Sequence, residues 1–214
     1  MSTLTTERQE QRQTDRRAAI LDAAQRCFAR MGFHPASMQR ICAEAGMSAG
    51  NLYRYFPSKE AIIAGIAERD RAEVAEKLGQ VDLSVDFFSM LGELARHYFA
   101  ERTDDQVGMC IEITAESRRN PEIGRIHQAF DTDVRTRLVA MLRDAADRGE
   151  ISRDIDFESV TAMLMVIVDG VWSRRVSDPT FDPNSLLPLF MDIVRHMLLH
   201  PPTGELQNKK EGSR

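Results

Sequence analysis

The chain has 214 residues, 43% hydrophobic and 29% charged, with 28 Lys+Arg against 33 Asp+Glu for a formal net charge of −5. That length suits one large helical unit or two small ones, and the negative balance argues against indiscriminate nucleic-acid binding. The longest purely apolar run, residues 162–168, falls far short of the roughly 20 residues a membrane-spanning helix needs, and the polar start MSTLTTERQEQRQ lacks an apolar signal core, so the expectation is a cytoplasmic protein with no membrane partner.

Residues 1–13 are expected to form a flexible arm. Thr14 or Asp15 then opens a helix whose Leu21, Ala24, Phe28 and Met31 share one face, and Gly32 ends it. Arg16 and Arg17 on this helix either reach a DNA backbone or are simply solvated. From Ser37 the pattern tightens. Ser37 can cap a helix start, with Met38, Ile41, Cys42 and Ala45 at i, i+3, i+4 and i+7 as one apolar stripe. Gly46 stands where a helix end needs positive φ, which costs a residue with Cβ but not glycine. Ser48 offers a second cap two residues on, and Leu52 and Phe56 give the next helix one buried edge. Pro57 breaks the run, and Ser58 caps a third helix carrying Ile62, Ile63 and Ile66 to about Leu78. Two short helices around so tight a gap form a helix-turn-helix pattern.

Packing leaves Ala49, Gly50, Asn51, Tyr53, Arg54 and Tyr55 facing outwards. Small residues at the helix start let the backbone approach a groove, Asn51 can pair with a base edge, and Tyr53, Arg54 and Tyr55 can reach phosphates or bases. Lys59 adds a candidate phosphate contact. The same spacing also fits a plain helical hairpin with a solvated polar face. Charge is distributed unevenly: residues 1–60 hold nine basic and six acidic side chains, the remainder 19 and 27, a positive head on an acidic body.

Beyond residue 84 the helical idiom continues. Phe87, Leu91, Leu94 and Tyr98 form a stripe to about residue 102, and a shorter helix is predicted over Val107 to Ser117. Asn120-Pro121-Glu122 starts a long helix, because the amide caps, proline at the first position loses no needed donor and the acid suits the helix dipole; it should run to about Arg148, with Gly149 as its stop. Asp156 caps the next, interrupted by Asp178-Pro179, and a last helix spans about Ser185 to Leu199, with Pro188 tolerated in its first turn. The fold class predicted is all-α, about nine helices, divided as arm 1–13, helix-turn-helix head 14–60, helical body 61–200 and flexible tail 201–214. The final two helices are more apolar than one-sided burial requires, so either a second copy or the rest of the same subunit must cover them.

Cys27, Cys42 and Cys110 have no metal spacing and read as small buried hydrophobes rather than redox sensors. No metal or cofactor site is predicted. An enzyme has two weak arguments, Cys110 with His127 as a nucleophile pair and His196 with His200 as two imidazoles on one helix face; the first has no orienting partner and the second no third ligand. Glu112 and Asp169 lie in apolar neighbourhoods, where each needs a cationic ligand or an arginine such as Arg174.

The segment from Ser37 to Glu60 resembles the signature of the TetR-type transcriptional regulators, close to "T…IA..AGVS.G.LY.HF.SKE". It is carried here by Ser37, Ile41-Cys42, Ala45-Gly46-Met47-Ser48, Gly50, Leu52-Tyr53, Tyr55-Phe56 and Ser58-Lys59-Glu60. The departures, Ser37 for threonine, Cys42 for alanine, Met47 for valine and Tyr55 for histidine, keep size or hydrogen-bonding capacity. The resemblance is strong over about residues 14–66. It implies a DNA-contact set of Ser37, Gln39, Arg40, Ser48, Ala49, Gly50, Asn51, Tyr53, Arg54, Tyr55 and Lys59, with Tyr55 and Lys59 on phosphates and Arg54 at a variable position. It further implies a homodimer through the last two helices, reading a palindromic operator in double-stranded DNA. A small-molecule pocket is implied among the middle helices, for which the candidate lining residues are Phe88, Leu91, His97, Met109, Cys110, Ile113, His127, Phe130, Met165, Asp169 and Trp172. Eleven methionines suit an adaptable cavity for a hydrophobic effector. The expected function is a repressor released by its effector, against the alternatives of a ligand-independent regulator or activator, or a helical enzyme.

Overall fold

The structure, a computed structural model, describes residues 2–79 and 86–200. Those residues form nine α-helices and no strand: α1 (Ser2–Met31), α2 (Met38–Glu44), α3 (Ala49–Tyr55), α4 (Lys59–Gly79), α5 (Phe87–Arg96), α6 (Asp104–Ser117), α7 (Pro121–Asp147), α8 (Phe157–Ser177) and α9 (Leu187–Leu199). A π-helical turn, His97–Glu101, extends α5, and a 3₁₀ turn, Pro183–Leu186, leads into α9. The tail from residue 201 lies outside the described residues.

Three local details differ from the sequence expectation. Helix α1 is continuous from Ser2 rather than starting at Thr14 or Asp15, because nothing in TTERQEQRQTDRR breaks a helix and pairs such as Gln11 with Asp15 (2.9 Å) support it. Helix α6 begins at Asp104, three residues before the expected start. Thr103 Oγ1 accepts from the Gln106 N–H while Gln106 Oε1 accepts from the Thr103 N–H, a reciprocal cap written in the T-x-x-Q spacing. Ser48 makes no side-chain cap; its carbonyl instead accepts from the N–H groups of Asn51 and Leu52, both at 3.1 Å. The remaining caps fall as predicted, with Ser37 accepting from the Arg40 N–H, Ser58 from Ala61, Asn120 from Glu122 and Ile123, and Asp156 from Glu158 and Ser159.

Two buried clusters organise these helices. The first joins α1 through Ile20, Leu21 and Phe28, α2 through Ile41 and Cys42, Leu52 and Phe56 around α3, and Ile62, Ile63 and Ile66 of α4; it also takes in Met109 of α6 and Ile123 of α7, so the head core crosses the boundary expected at residue 60. Helix α4 can run this close because residue 65 is glycine: a Cβ there would lie 2.8 Å from Phe56 Cε1. The second cluster holds Phe87, Leu91 and Phe99 against Leu142, Leu164 and, from α9, Phe190, Val194 and Leu198. Each fully buried side chain of this size contributes roughly 1.5–3 kcal/mol relative to exposure. On the opposite sides of α8 and α9, Met163, Val166, Leu189 and Ile193 are 51–63% exposed. No helix among the described residues is long and apolar enough to cross a membrane.

Candidate DNA-reading head and effector cavity

Helix α2 is pinned to α1 by Glu44, whose carboxylate lies 2.7 Å from Arg26 Nε and 2.8 Å from Arg30 Nη2; the hydrogen bond from Arg26, then that from Arg30, holds it below the usual carboxylate range. Gly46 turns the chain at φ +63°. Helix α3 then lies with Leu52 fully buried and Phe56 almost so, which forces the opposite side of a seven-residue helix outwards. Ala49, Gly50, Tyr53 and Arg54 are exposed, and the space a Gly50 side chain would occupy is empty. Gln39 and Arg40 of α2 are exposed beside them, and Arg40 Nη1 lies 2.8 Å from Met31 Sδ. Asn51 is half-buried. So is Tyr55, packed against the head core rather than fully outward, because it follows Leu52 by one helical turn less one residue and shares part of its face.

The structure revises one basic residue. Lys59, expected on a phosphate, donates from Nζ to the carbonyl of Phe33 at 2.6 Å and that of His34 at 3.4 Å, with the Phe33 ring centroid 4.2 Å away; burial pulls its ammonium below the ordinary lysine value. Its position at the start of α4, directly under the α1–α2 turn, makes it a strut inside the head. Arg16 and Arg17 are both exposed; Arg17 stacks on the Phe56 ring at 4.6 Å and pairs with Glu68 at 3.2 Å.

The α1–α2 turn is also held from the body. Glu112 Oε1 accepts from the Phe33 N–H at 2.7 Å, and Glu116, 1% exposed, lies 3.1 Å from His34 Nε2 and 3.2 Å from Arg119 Nε. Glu112 therefore satisfies a backbone donor and is not among the residues that line the cavity.

Behind that contact α4 to α8 enclose a cavity of about 440 Å³. Leu91, Met109, Cys110, Ile113, His127 and Phe130 line it as expected, as do Met165, Asp169 and Trp172. Phe88 does not: its ring is turned towards α9, with the Arg195 guanidinium 4.1 Å from its centroid. Nor does His97, whose Nε2 lies 2.8 Å from Glu73 and Nδ1 3.2 Å from Glu101, two carboxylates that draw the imidazole away from the apolar space. Sequence reasoning missed the α4 wall, Ile63, Ile66, Asp70 and Val74, and the end of the π-helical turn, Tyr98 and Arg102. The α4 apolar positions were visible as a stripe, but only the packing shows that the same stripe serves the head at one end and the cavity at the other.

Polar groups sit at both sides of this cavity. Asp70 and Arg102 are both buried, Oδ2 to Nη1 at 3.6 Å, with Arg102 Nη2 3.1 Å from Glu73; burial pushes the Asp70 carboxyl up, the Arg102 charge opposing. Arg175 holds the turn by donating to the carbonyls of Phe99 and Arg102, and the Trp172 indole N–H donates to the Tyr98 carbonyl at 2.7 Å. Asp169 is on the solvent side; burial of the carboxyl and then Asp131 push it up while His127 opposes, and no arginine pairs with it. Burial pushes the Cys110 thiol up to about 12, the reverse of what a nucleophile needs, and His127 Nε2 is 3.3 Å from Thr114 Oγ1. His196 and His200 stack at 5.1 Å, and no group of three metal-ligating side chains occurs among the described residues.

Residues 20–66 match the family described as bacterial regulatory proteins, tetR family, and residues 90–199 match the BetI-type transcriptional repressor C-terminal family. The chain belongs to the TetR family. It is similar to the HTH-type transcriptional regulator UidR of Escherichia coli K12, 31% identical over 159 residues that span 72% of this chain and 79% of that one. Among solved structures, Salmonella enterica GusR matches with a TM-score of 0.73 and 31% identity over 86% of this chain and 95% of its own. The fold is shared as well with Bacillus subtilis FadR, a structure in complex with stearoyl-CoA, at a TM-score of 0.71 and 19% identity over 83% of this chain and 96% of that one. This TetR-family chain is a helix-turn-helix DNA-binding transcriptional repressor, and its relatives are transcriptional regulators.

Proposed function

We propose that the protein is a cytoplasmic homodimer that holds a palindromic operator through α3 and releases it when a hydrophobic small molecule fills the cavity. The observation that carries the reading is the pairing of an exposed polar α3 face with an internal apolar space, the two connected by α4 and α6. Asn51, Arg54 and Gln39 supply the base contacts, and Ser37, Arg40, Ser48, Tyr53 and Tyr55 the phosphates, while Ala49 and Gly50 give close approach. Lys59 acts on DNA through the α1–α2 turn that it braces.

The exposed apolar residues of α8 and α9 support the dimer, since Met163, Val166, Leu189 and Ile193 are each more than half exposed and burying them against a second copy would remove apolar surface from water. Two-fold symmetry then places the paired α3 helices in successive major grooves, about 34 Å apart. Ligand entry presses on Ile63 and Ile66 of α4 and on Met109 and Ile113 of α6. The same helices carry Lys59, Glu112 and Glu116, which hold Phe33 and His34, so a shift of either helix moves the head. A ligand drives this only by preferring the released arrangement.

Selection of bound fragments from random DNA tests the reading. Enrichment of an inverted repeat is expected, with Asn51→Ala losing about 1–3 kcal/mol of discrimination at one base position in each half-site. Ile193→Glu should run as a monomer by light scattering and lose the repeat. Absence of any enriched sequence would end the DNA-reading assignment.

A further inference from the structure

One corner of the cavity holds two hydrogen-bond donors that no protein group satisfies. Arg102 is 3% exposed; its Nη atoms face Asp70 and Glu73 and its guanidinium also acts on the Cys110 thiol, but its Nε is buried without a hydrogen-bond partner, and so is the Tyr98 hydroxyl. The Arg102 guanidinium lies 5.2 Å from the Tyr98 ring centroid and 5.7 Å from that of Trp172, so both donors and the chain's one indole share the same wall. A buried donor left unmatched costs about 1–3 kcal/mol, and such a cost in a well-packed fold marks a place where a ligand or a water supplies the acceptor.

The charge facing the cavity limits what that acceptor can be. Asp70, buried, enters from α4 and Asp131, half-buried, from α7, with Asp169 of α8 exposed at the solvent side of the cavity, against the single guanidinium of Arg102 and the imidazole of His127. Glu73 adds another carboxylate behind Arg102, which is thus already matched in charge while still lacking a hydrogen-bond acceptor at Nε. An incoming carboxylate would meet uncompensated negative charge in a largely apolar space, whereas an uncharged oxygen would meet only the two donors.

We propose that the effector is an uncharged, mainly apolar molecule bearing a hydrogen-bond-accepting oxygen, that this oxygen docks on Arg102 Nε and the Tyr98 hydroxyl beside Trp172, and that the cavity rejects carboxylates of the same shape. The word effector rests on the repressor reading above; the binding selectivity does not, and it is measured without DNA. Trp172, the only tryptophan, is the reporter.

Three isosteric probes differ at one end alone: 4-(biphenyl-4-yl)butan-2-one, 3-(biphenyl-4-yl)propanoate and 4-(3-methylbutyl)biphenyl. Titrated into the full-length protein at pH 7.5, the ketone should quench Trp172 at concentrations roughly three- to tenfold below those the hydrocarbon needs, the worth of one or two net hydrogen bonds. The carboxylate should bind at least about tenfold more weakly than the ketone. Tyr98→Phe, which removes a hydroxyl with no protein partner and leaves the fold intact by thermal melt, should bring the ketone to the hydrocarbon's affinity and leave the hydrocarbon unchanged. Equal or tighter binding of the carboxylate overturns the proposal. So does a ketone affinity indifferent to Tyr98→Phe, which would mean the two donors are hydrated, and so does the failure of all three probes to quench. In any of these cases the operator selection still decides the repressor reading separately.

Discussion

The head and the body of this protein are both helical and both built around apolar stripes, yet one is filled and the other hollow. Around α3 the short helices are closed by caps, by Gly46 and by Glu44 gathering Arg26 and Arg30, and every large side chain on the inner face is buried. Around the cavity the lining side chains, Met109 and Met165 among them, leave about 440 Å³ unfilled. A surface that must present Asn51 and Arg54 to a fixed DNA groove gains from a core with one packing, whereas a chamber that must yield to a ligand gains from a core with several.

Truncations on the two sides put that contrast to its strongest test. Leu52→Ala should cost about 2–5 kcal/mol of stability, because the filled head cannot collapse around the gap, while Met165→Ala at the cavity wall should cost less than about 1.5 kcal/mol. Equal losses in chemical denaturation would break the comparison.

Alkaline titration gives a smaller effect confined to the body. Burial raises the Cys110 thiol from an ordinary 9.0 to about 12 and the Tyr98 phenol from 10.0 to about 12. A group whose folded-state value is raised favours folding fully below its unfolded value, and that contribution is lost as pH rises through the folded one. Stability should therefore hold to about pH 9 and decline towards pH 12, and Cys110→Ala should flatten the first part of the decline. A Cys110→Ala melting profile parallel to the wild type between pH 9 and 11 would show that the thiol is not buried as described.

The smallest change concerns the junction. Lys59→Met should remove about 1 kcal/mol of stability by freeing the carbonyls of Phe33 and His34. Operator affinity should fall with it, but the dependence of affinity on salt should stay unchanged, since the ammonium is engaged inside the head. A salt slope reduced by about one unit would return Lys59 to a phosphate.

What was legible beforehand follows how local each determinant is. The turn at Gly46, the caps at Ser37, Ser58, Asn120 and Asp156, and the buried edge of Leu52 and Phe56 are set by residues within a few positions of one another, so spacing alone locates them. Nine of the eleven residues that the family resemblance suggested for the cavity line it. Phe88 and His97 were misplaced because periodicity gives a face but not the neighbour that face meets: Arg195 comes from α9 and Glu73 from α4. Lys59 was misread for the same reason, its partners lying 25 and 26 residues earlier in the chain.

The sequence by itself determined the all-helical layout and the outward Ala49, Gly50, Tyr53 and Arg54 of α3, because backbone caps and a 3.6-residue period act over a single turn. Only the tertiary structure decided that Glu112 serves a backbone amide and that the Tyr98 hydroxyl and Arg102 Nε are buried beside the cavity without a hydrogen-bond partner. Those outcomes depend on which charges and carbonyls long-range packing brings within 3 Å or so, a distance at which hydrogen bonds form and beyond which sequence separation says nothing.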